Sequence, residues 1–314
     1  MDRRIYGPVP SRRFGLSLGV DLVPLKTCTL NCVYCQLGPT LQHQVARHNF
    51  YPADQVLLQI REDLETGPAP DVLTFAGSGE PTLYADLGTV ASGCREISDA
   101  GLLLITNGTL LHRADVSRDA NLFDMVAPSL DAGDVDTWRA INGPEANLDF
   151  DTVVQGIVGF SHGFKGRLLL EVFFLRGGND SDRSVQAIAD LANRIAPDRV
   201  DLNTVARPTP GQTVSGVSME FLESVVPLFS APAAPIRPFP TAGKTAQIRS
   251  ESLGSASRLI LETLARRPCT FDDLCTSLGL SARSISAELQ RLGSQGLVVE
   301  EYRGASRFYL RGPG

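Results

Sequence analysis

Over the first two-thirds of the chain, apolar runs of strand length alternate with stretches whose apolar residues recur every three or four positions. The runs at 16–23, 72–75, 102–106, 125–129, 168–174 and 199–203 predict strands. Residues 55–65, with Leu57, Leu58, Ile60 and Leu64, and residues 184–195, with Val185, Ile188, Leu191 and Ile195, predict helices. A strand followed by a helix, repeated six times, predicts an α/β fold around a parallel sheet. A curled partial barrel and an open doubly wound sheet share this pattern, so both readings stay open at this point.

The pattern changes near Pro227. Pro227, Pro232, Pro235, Pro238 and Pro240, interspersed with alanines, predict extended backbone. This divides the chain into a domain over 1–226, a Pro/Ala-rich linker over 227–252 and a small domain over 253–314. In the last, 255–266 (Leu259, Ile260, Leu261, Leu264), 271–278 and 281–295 (Ile285, Leu289, Leu292) predict helices. The second ends at Gly279 and the third is N-capped by Ser281. Strands at 298–301 and 307–310, joined by Arg303-Gly304-Ala305, complete a pattern that resembles a winged helix-turn-helix.

With 43% hydrophobic and 20% charged residues the composition is that of a globular protein, and no run of about eighteen apolar residues is present to span a bilayer. The net charge of −6 argues against broad non-specific binding of nucleic acid, which depends on neutralising phosphates. The C-terminal domain is the exception, with eight arginines against seven acids over 251–314. Arg283 and Arg291 lie on its third helix with Glu288 between them, and Arg303 and Arg307 lie on the hairpin. An RNA or DNA contact there and a packing or protein-contact role are both open. Cys94, Cys269 and Cys275 are scattered and the first residues carry no apolar leader, so a cytoplasmic, disulfide-free protein without a membrane partner is expected.

The candidate chemistry begins at Cys28-Thr-Leu-Asn-Cys32-Val-Tyr-Cys35. Three thiolates at this spacing can hold three irons of a [4Fe–4S] cluster and leave the fourth iron open to another ligand. A Cys3His zinc site completed by His43 or His48 is the competing reading. A second motif, Gly77-Ser78-Gly79-Glu80-Pro81-Thr82, follows the second predicted strand, and barrel active sites form at such strand ends. Later strand ends carry Asn107, Ser129 and Asp131, with Glu171 inside the fifth strand and Asn203 at the end of the sixth.

The C-x3-C-x2-C loop with the aromatic Tyr34 before its last cysteine resembles the radical S-adenosylmethionine (radical SAM) superfamily, and Gly77–Glu80 resembles that family's Gly-Gly-Glu motif. The resemblance implies a partial (β/α)6 TIM-like barrel and a [4Fe–4S] cluster on Cys28, Cys32 and Cys35. It implies S-adenosylmethionine held with its amino group at Glu80 and the Gly77, Ser78 and Gly79 backbone. Tyr34, Asn107, Ser129 and Asp131 are then further cofactor contacts. Reductive cleavage of S-adenosylmethionine to a 5′-deoxyadenosyl radical, oxygen sensitivity and an external electron donor such as flavodoxin or ferredoxin follow from the same resemblance.

The stretch Tyr6–Pro24, reading G-P-V-P-S-R-R-x-G before Lys26-Thr27-Cys28, narrows the likeness to radical SAM proteins grouped with the tRNA wyosine-base (4-demethylwyosine) synthases. It continues through Ile141-Asn142-Gly143-Pro144 and covers about residues 5–210. The resemblance implies RNA or a nucleotide-like small molecule as substrate, with Arg12, Arg13 and Lys26 as candidate substrate contacts. The two arginines suit a phosphate or carboxylate, or else surface ion pairs. Those synthases hold a second cluster on upstream cysteines and form a Schiff base on a lysine. Here no cysteine precedes Cys28, so a single cluster is expected, and Lys26 matches that lysine by no motif. The alternative class is an iron–sulfur sensing transcriptional regulator with a DNA-binding winged helix, which would have no use for the methionine site at Gly77–Glu80.

Overall fold

A computed structural model describes residues 3–11, 13–205, 214–237, 253–265, 268–303 and 306–312; Arg12 and residues 238–252 of the expected linker lie outside the described residues. The strands of the larger domain are β1 (Ile5–Ser11), β2 (Gly15–Val20), β3 (Thr27–Cys28), β4 (Gln42–His43), β5 (Val72–Phe75), β6 (Gly101–Thr106), β7 (Met125–Pro128), β8 (Arg167–Phe174), β9 (Arg199–Thr204) and β10 (Ala233–Pro235). The main sheet runs β1-β2-β5-β6-β7-β8-β9-β10, while β3 and β4 pair separately. From β2 onward every pairing is parallel, and β1 lies antiparallel on the β2 edge.

All six expected strands are present. Their apolar continuity has a simple cause, since they are buried on both faces. Alternate residues belong to two cores: Val72, Leu103, Ala127 and Leu169 form one, and Leu73, Leu102, Leu104, Val126, Leu168 and Leu170 belong to the other, larger one. The larger core lies beneath the helices, including Ala53–Thr66 through Val56 and Ile60 and Asp182–Ile195 through Val185 and Ile188. Asp134, Asp149, Ser181 and Ser218 cap helices by accepting the backbone N–H three residues on, each contributing about 1 kcal/mol.

The choice between open sheet and partial barrel is settled by the turn between β1 and β2. In a flat sheet β2 and β8 lie four strand spacings apart, about 19 Å. Yet Arg13, in that turn, reaches Glu171 of β8 at 2.7 Å and Asp201 of β9 at 2.9 Å. Phe14 beside it packs against the core formed by Val72, Leu103, Ala127 and Leu169. The sheet therefore curls into a partial barrel, with these residues inside.

Two strands of the main sheet were not expected, β1 and β10. Pro8 and Pro10 make β1 read as loop, but as an edge strand it tolerates proline. Within the stretch expected as linker, β10 pairs with β9 through Ala233, Ala234 and Pro235, so the larger domain's sheet continues past residue 227.

The C-terminal domain has helices Leu253–Leu264, Phe271–Leu278 and Ala282–Ser294 and a sheet ordered β11 (Cys269–Thr270), β13 (Ser306–Arg311), β12 (Val298–Arg303). It matches the expected winged helix, with β11 added. Ser281 caps the third helix as anticipated, and Thr270 and Asp273 form a capping box on the second. Ile260, Leu274, Ile285, Leu289, Leu292 and buried Cys269 make its separate core, against which Val9 of β1 packs. Among the described residues no helix is long and apolar enough to cross a membrane.

Candidate cluster and cofactor site

The cysteine loop leaves the barrel after β2 and is pinned at its root. Lys26 takes a left-handed conformation, φ 59°, which costs a residue other than glycine about 1–2 kcal/mol. That conformation is fixed by its N–H donating to Ser78 O at 2.7 Å and its carbonyl accepting from Leu41 and Gln42 N–H at 2.9 and 3.0 Å. The three cysteines are free and half-buried. Each sulfur receives a side-chain nitrogen: Asn107 Nδ2 at 3.5 Å on Cys28, Asn142 Nδ2 at 3.5 Å on Cys32, and Lys26 Nζ at 3.1 Å on Cys35. Burial, reinforced by the Glu80 charge, pushes the Cys28 thiol up to about 12, and burial with Asp131 nearby pushes Cys32 up as well.

Donors aimed at sulfur suit thiolates, because a thiol sulfur is a weak acceptor. The loop thus has the character of a site for a cationic iron–sulfur core held by three thiolates. The zinc alternative is not built. Among the described residues no three His, Cys, Asp or Glu side chains gather closely enough to hold a single metal ion. His43 Nε2 is spent on Thr29 O at 3.0 Å, and His48 stands edge-on to Phe50.

Gly79 and Gly77 are required by packing against this loop. A Cβ on Gly79 would meet Thr27 O at 1.9 Å, and one on Gly77 would meet the Asp21 carboxylate at 2.5 Å. The close approach lets Glu80 N–H donate to Thr27 O at 3.0 Å, tying the two motifs together. Ser78 turns to Asp21, donating through N–H and Oγ at 3.0 and 2.6 Å.

Glu80 is buried, and its two oxygens are unequally used. Oε1 accepts from Thr82 N–H at 3.0 Å, Thr82 Oγ1 at 2.6 Å and Thr106 Oγ1 at 2.6 Å. Among the described residues Oε2 accepts only from Asn107 N–H, at 2.7 Å. Burial raises the Glu80 pKa against the pull of these donors. A buried carboxylate with one under-used oxygen suits a cationic ligand group. Asn107 links the motifs again, since its Nδ2 also donates to Thr29 Oγ1 at 2.7 Å and its Oδ1 accepts from Thr109.

Tyr34 stacks on Phe173, ring centroids 4.0 Å apart, and donates its hydroxyl to Asp131. Asp131 is buried, accepts also from Asn142 Nδ2 at 2.7 Å and Phe173 N–H at 3.0 Å, and is pushed by burial up to about 6. Asn142 Oδ1 is buried without a hydrogen-bond partner among the described residues. Residue Asn142 lines a cavity of about 40 Å³ together with Cys32, Tyr34, Asn107, Ser129 and Asp131. An orphaned buried acceptor on a residue beside a largely apolar-walled cavity has the character of a ligand contact.

Hydrogen bonds thus join Cys28, Asn107 and Glu80 in one set and Cys32, Asn142, Asp131 and Tyr34 in another, and Asn107 and Ser129 line one cavity with the second set. Of the expected substrate contacts, Arg12 lies outside the described residues. Arg13 is neither free for an anion nor on the surface: Glu171 and Asp201 hold its guanidinium inside the barrel, and Arg199 shares Asp201. Asn203 donates to Glu171 at 3.2 Å. Lys26 is buried and points at Cys35. In the C-terminal domain Arg291 is tied to Glu288 and Ser257, Arg307 lies over Tyr309 beside Glu300, and the Arg303 side chain lies outside the described residues.

Sequence reading missed Thr82, Thr106, Arg47 and the role of Asn142. Arg47 is the clamp of the segment after the cysteine loop. It bonds Thr82 O and Tyr84 O at 3.0 and 2.8 Å and pairs with Asp115 and Asp119 at 3.0 and 2.6 Å. Asn142 stands in the Ile141–Pro144 stretch of the family likeness, and the glycine after it ends its helix in a left-handed C-cap, but neither points to Cys32.

Residues 22–183 match the family model of the Radical SAM superfamily, and residues 244–300 match the DprA winged helix domain. A protein of Brachyspira hyodysenteriae named GTPase Obg is 36% identical over 299 residues, which are 95% of this chain but 44% of that protein. The chain thus spans less than half of that relative's length. A UPF0026 protein of Methanocaldococcus jannaschii is 33% identical over 227 residues, 72% of this chain and 70% of that protein. The structure of TYW1 with a lysine-pyruvate adduct bound superposes with a TM-score of 0.51 at 16% identity, covering 68% of this chain and 72% of that one, a likeness of fold. With its cysteine loop, its glycine–glutamate motif and these matches, the chain belongs to the radical SAM superfamily of enzymes, whose cofactors are a [4Fe–4S] cluster and S-adenosylmethionine, and to the UPF0026 proteins.

Proposed function

We propose that Cys28, Cys32 and Cys35 hold a single [4Fe–4S] cluster and that Glu80 receives the amino group of S-adenosylmethionine beside it. When bound and reduced, the cluster supplies the electron that breaks a carbon–sulfur bond of S-adenosylmethionine, giving methionine and a 5′-deoxyadenosyl radical that takes hydrogen from substrate. The observation that carries the proposal is the uneven use of Glu80, whose Oε1 has three donors while Oε2 has one.

The chain's own contribution is placement. Asn107 fixes Glu80 Oε2 through its N–H and approaches Cys28 through its amide, so carboxylate and cluster loop keep one spacing. Asp131 and Asn142 hold Tyr34 and Cys32, and Asn142 Oδ1 is buried with no hydrogen-bond partner among the described residues. Apolar walls from Trp138, Phe150 and Ile157 limit water there. For the substrate we propose RNA or a nucleotide-like small molecule, supported by the winged-helix match at residues 244–300. An external flavodoxin- or ferredoxin-type donor supplies the electron. The regulator alternative is not favoured, because a sensor has no need of a carboxylate kept for an ammonium.

Anaerobic reconstitution, reduction with dithionite and chromatography for 5′-deoxyadenosine test the proposal. A loaded cluster that neither binds nor cleaves S-adenosylmethionine refutes it. Sequencing of nucleic acid crosslinked to the protein in cells tests the substrate class, and no enrichment over a variant cut before residue 253 counts against RNA.

A further inference from the structure

Lys26 poses a problem of charge. Its side chain is buried, 5% exposed, and its ammonium meets one side chain, Cys35 Sγ at 3.1 Å, with no carboxylate partner among the described residues. Burying an ammonium without a counter-charge is costly. The direction of the side chain is no accident of a loose loop, because the left-handed backbone at Lys26 is clamped by Ser78, Leu41 and Gln42. Backbone strain kept in place by its surroundings marks positions with a task.

Lys26 also belongs to a set. The cysteines receive side-chain N–H groups from three separate parts of the chain: Lys26 before the loop, Asn107 after β6 and Asn142 at the end of the helix Val135–Asn142. Local turn geometry cannot explain donors that arrive from 79 and 110 residues away, one on each of Cys28 and Cys32.

We infer that Lys26, supported by Asn107 and Asn142, sets the reduction potential of the cluster, resting on the assignment of that cluster to Cys28, Cys32 and Cys35. A cluster on three thiolates is a net anion and becomes more negative when it takes an electron. A fixed ammonium and two amide dipoles at the sulfurs stabilise the reduced form more than the oxidised form. Hydrogen bonds to the sulfurs and net charge are the terms through which a protein moves such a potential. The same anion resolves the Lys26 problem, since it is the missing counter-charge. Lys26 thus acts through Cys35 as a tuning residue, and its burial keeps it from a substrate.

The test is a potentiometric titration of the anaerobically reconstituted full-length protein, without S-adenosylmethionine, followed by electron paramagnetic resonance of the reduced cluster. Iron and sulfide are counted in every variant. Lys26→Met, which keeps length and removes charge, is expected to weaken the one-electron reduction equilibrium about tenfold, a potential lower by about 59 mV. Lys26→Arg should restore most of it, and Asn142→Leu should lower it by less. If Lys26→Met does not load, Lys26→Gln and Asn142→Leu give the same readout. Loaded variants with the wild-type potential, or a higher one, overturn the inference. A wild-type chain that takes up no iron and sulfide refutes instead the cluster assignment beneath it.

Discussion

Glu80→Gln separates ligand binding from folding at the centre of the site. Three donors converge on Glu80 Oε1, so the glutamine oxygen belongs there and its NH2 falls at the Oε2 position. It then faces Asn107 N–H, which loses its acceptor at 2.7 Å. Leaving a buried N–H unsatisfied costs about 1–3 kcal/mol. Against this, the variant no longer buries a charge, the effect that raises the Glu80 pKa. The net loss of stability should therefore stay below about 2 kcal/mol.

Binding behaves differently, because the NH2 also faces the incoming ammonium, donor against donor. Losing one charge-assisted hydrogen bond is worth about 1.5–3 kcal/mol. At about 1.4 kcal/mol per decade, the affinity for S-adenosylmethionine should fall about 10- to 100-fold. Equilibrium dialysis of the anaerobic, cluster-loaded protein measures the affinity, urea unfolding the stability and an iron count the cluster. Unchanged affinity with full iron would refute the placement of the amino group at Glu80. A collapse of stability would refute the reasoning about its two oxygens.

Arg47→Met should cost about 3–5 kcal/mol in urea unfolding, because the Arg47 and Asp119 side chains are 7% and 12% exposed and removal strands a buried carboxylate; a loss under about 1 kcal/mol would mean that the clamp is dispensable. Hydrogen bonding from Arg113, opposed by burial and joined by Arg47, holds Asp115 below the usual carboxylate range. Its contribution is then complete above about pH 4 and lost as the pH falls towards the depressed value. Asp115→Asn should flatten the acid-side fall of the Tm, and an unchanged slope would count against the pairing. Cys32→Ala should lose the cluster, whereas Cys94→Ala and Cys269→Ala, at buried thiols in the two cores, should keep full iron and sulfide; iron lost from a folded Cys94→Ala would count against the ligand assignment.

What could be read from the sequence and what could not divide along chain distance. The six inner strands were legible because burial on both faces makes them nearly continuous apolar runs, while β1 and β10 sit at the edges, where prolines are tolerated. The cysteine loop and Gly77–Glu80 were legible because their chemistry is packed into a few consecutive residues. Asn142 and Arg47 were not, since each acts across the fold, 110 residues to Cys32 and 72 to Asp119. Arg13 shows the intermediate case. Its wish for a carboxylate was legible, but the partner Asp201 lies 188 residues away and becomes a neighbour only when the sheet curls.

That curl creates two kinds of charge inside the domain, and the contrast says where ligands go. Arg13, Arg199, Glu171 and Asp201 pair among themselves and close the gap between β2 and β8–β9. Around the cysteine loop the charges are incomplete: Lys26 faces a thiol, and Glu80 Oε2 has a single donor. Protein interiors hold uncompensated charge at a cost, so incompleteness persists where a bound group removes it. An anion beside Lys26 and a cation beside Glu80 are the two groups that would do so. A net-anionic thiolate cluster and the ammonium of S-adenosylmethionine carry those signs. The same reasoning sorts mutations by effect: exchanges in the Arg13 set should appear first in folding, whereas exchanges at Lys26 or Glu80 should appear first in potential and affinity.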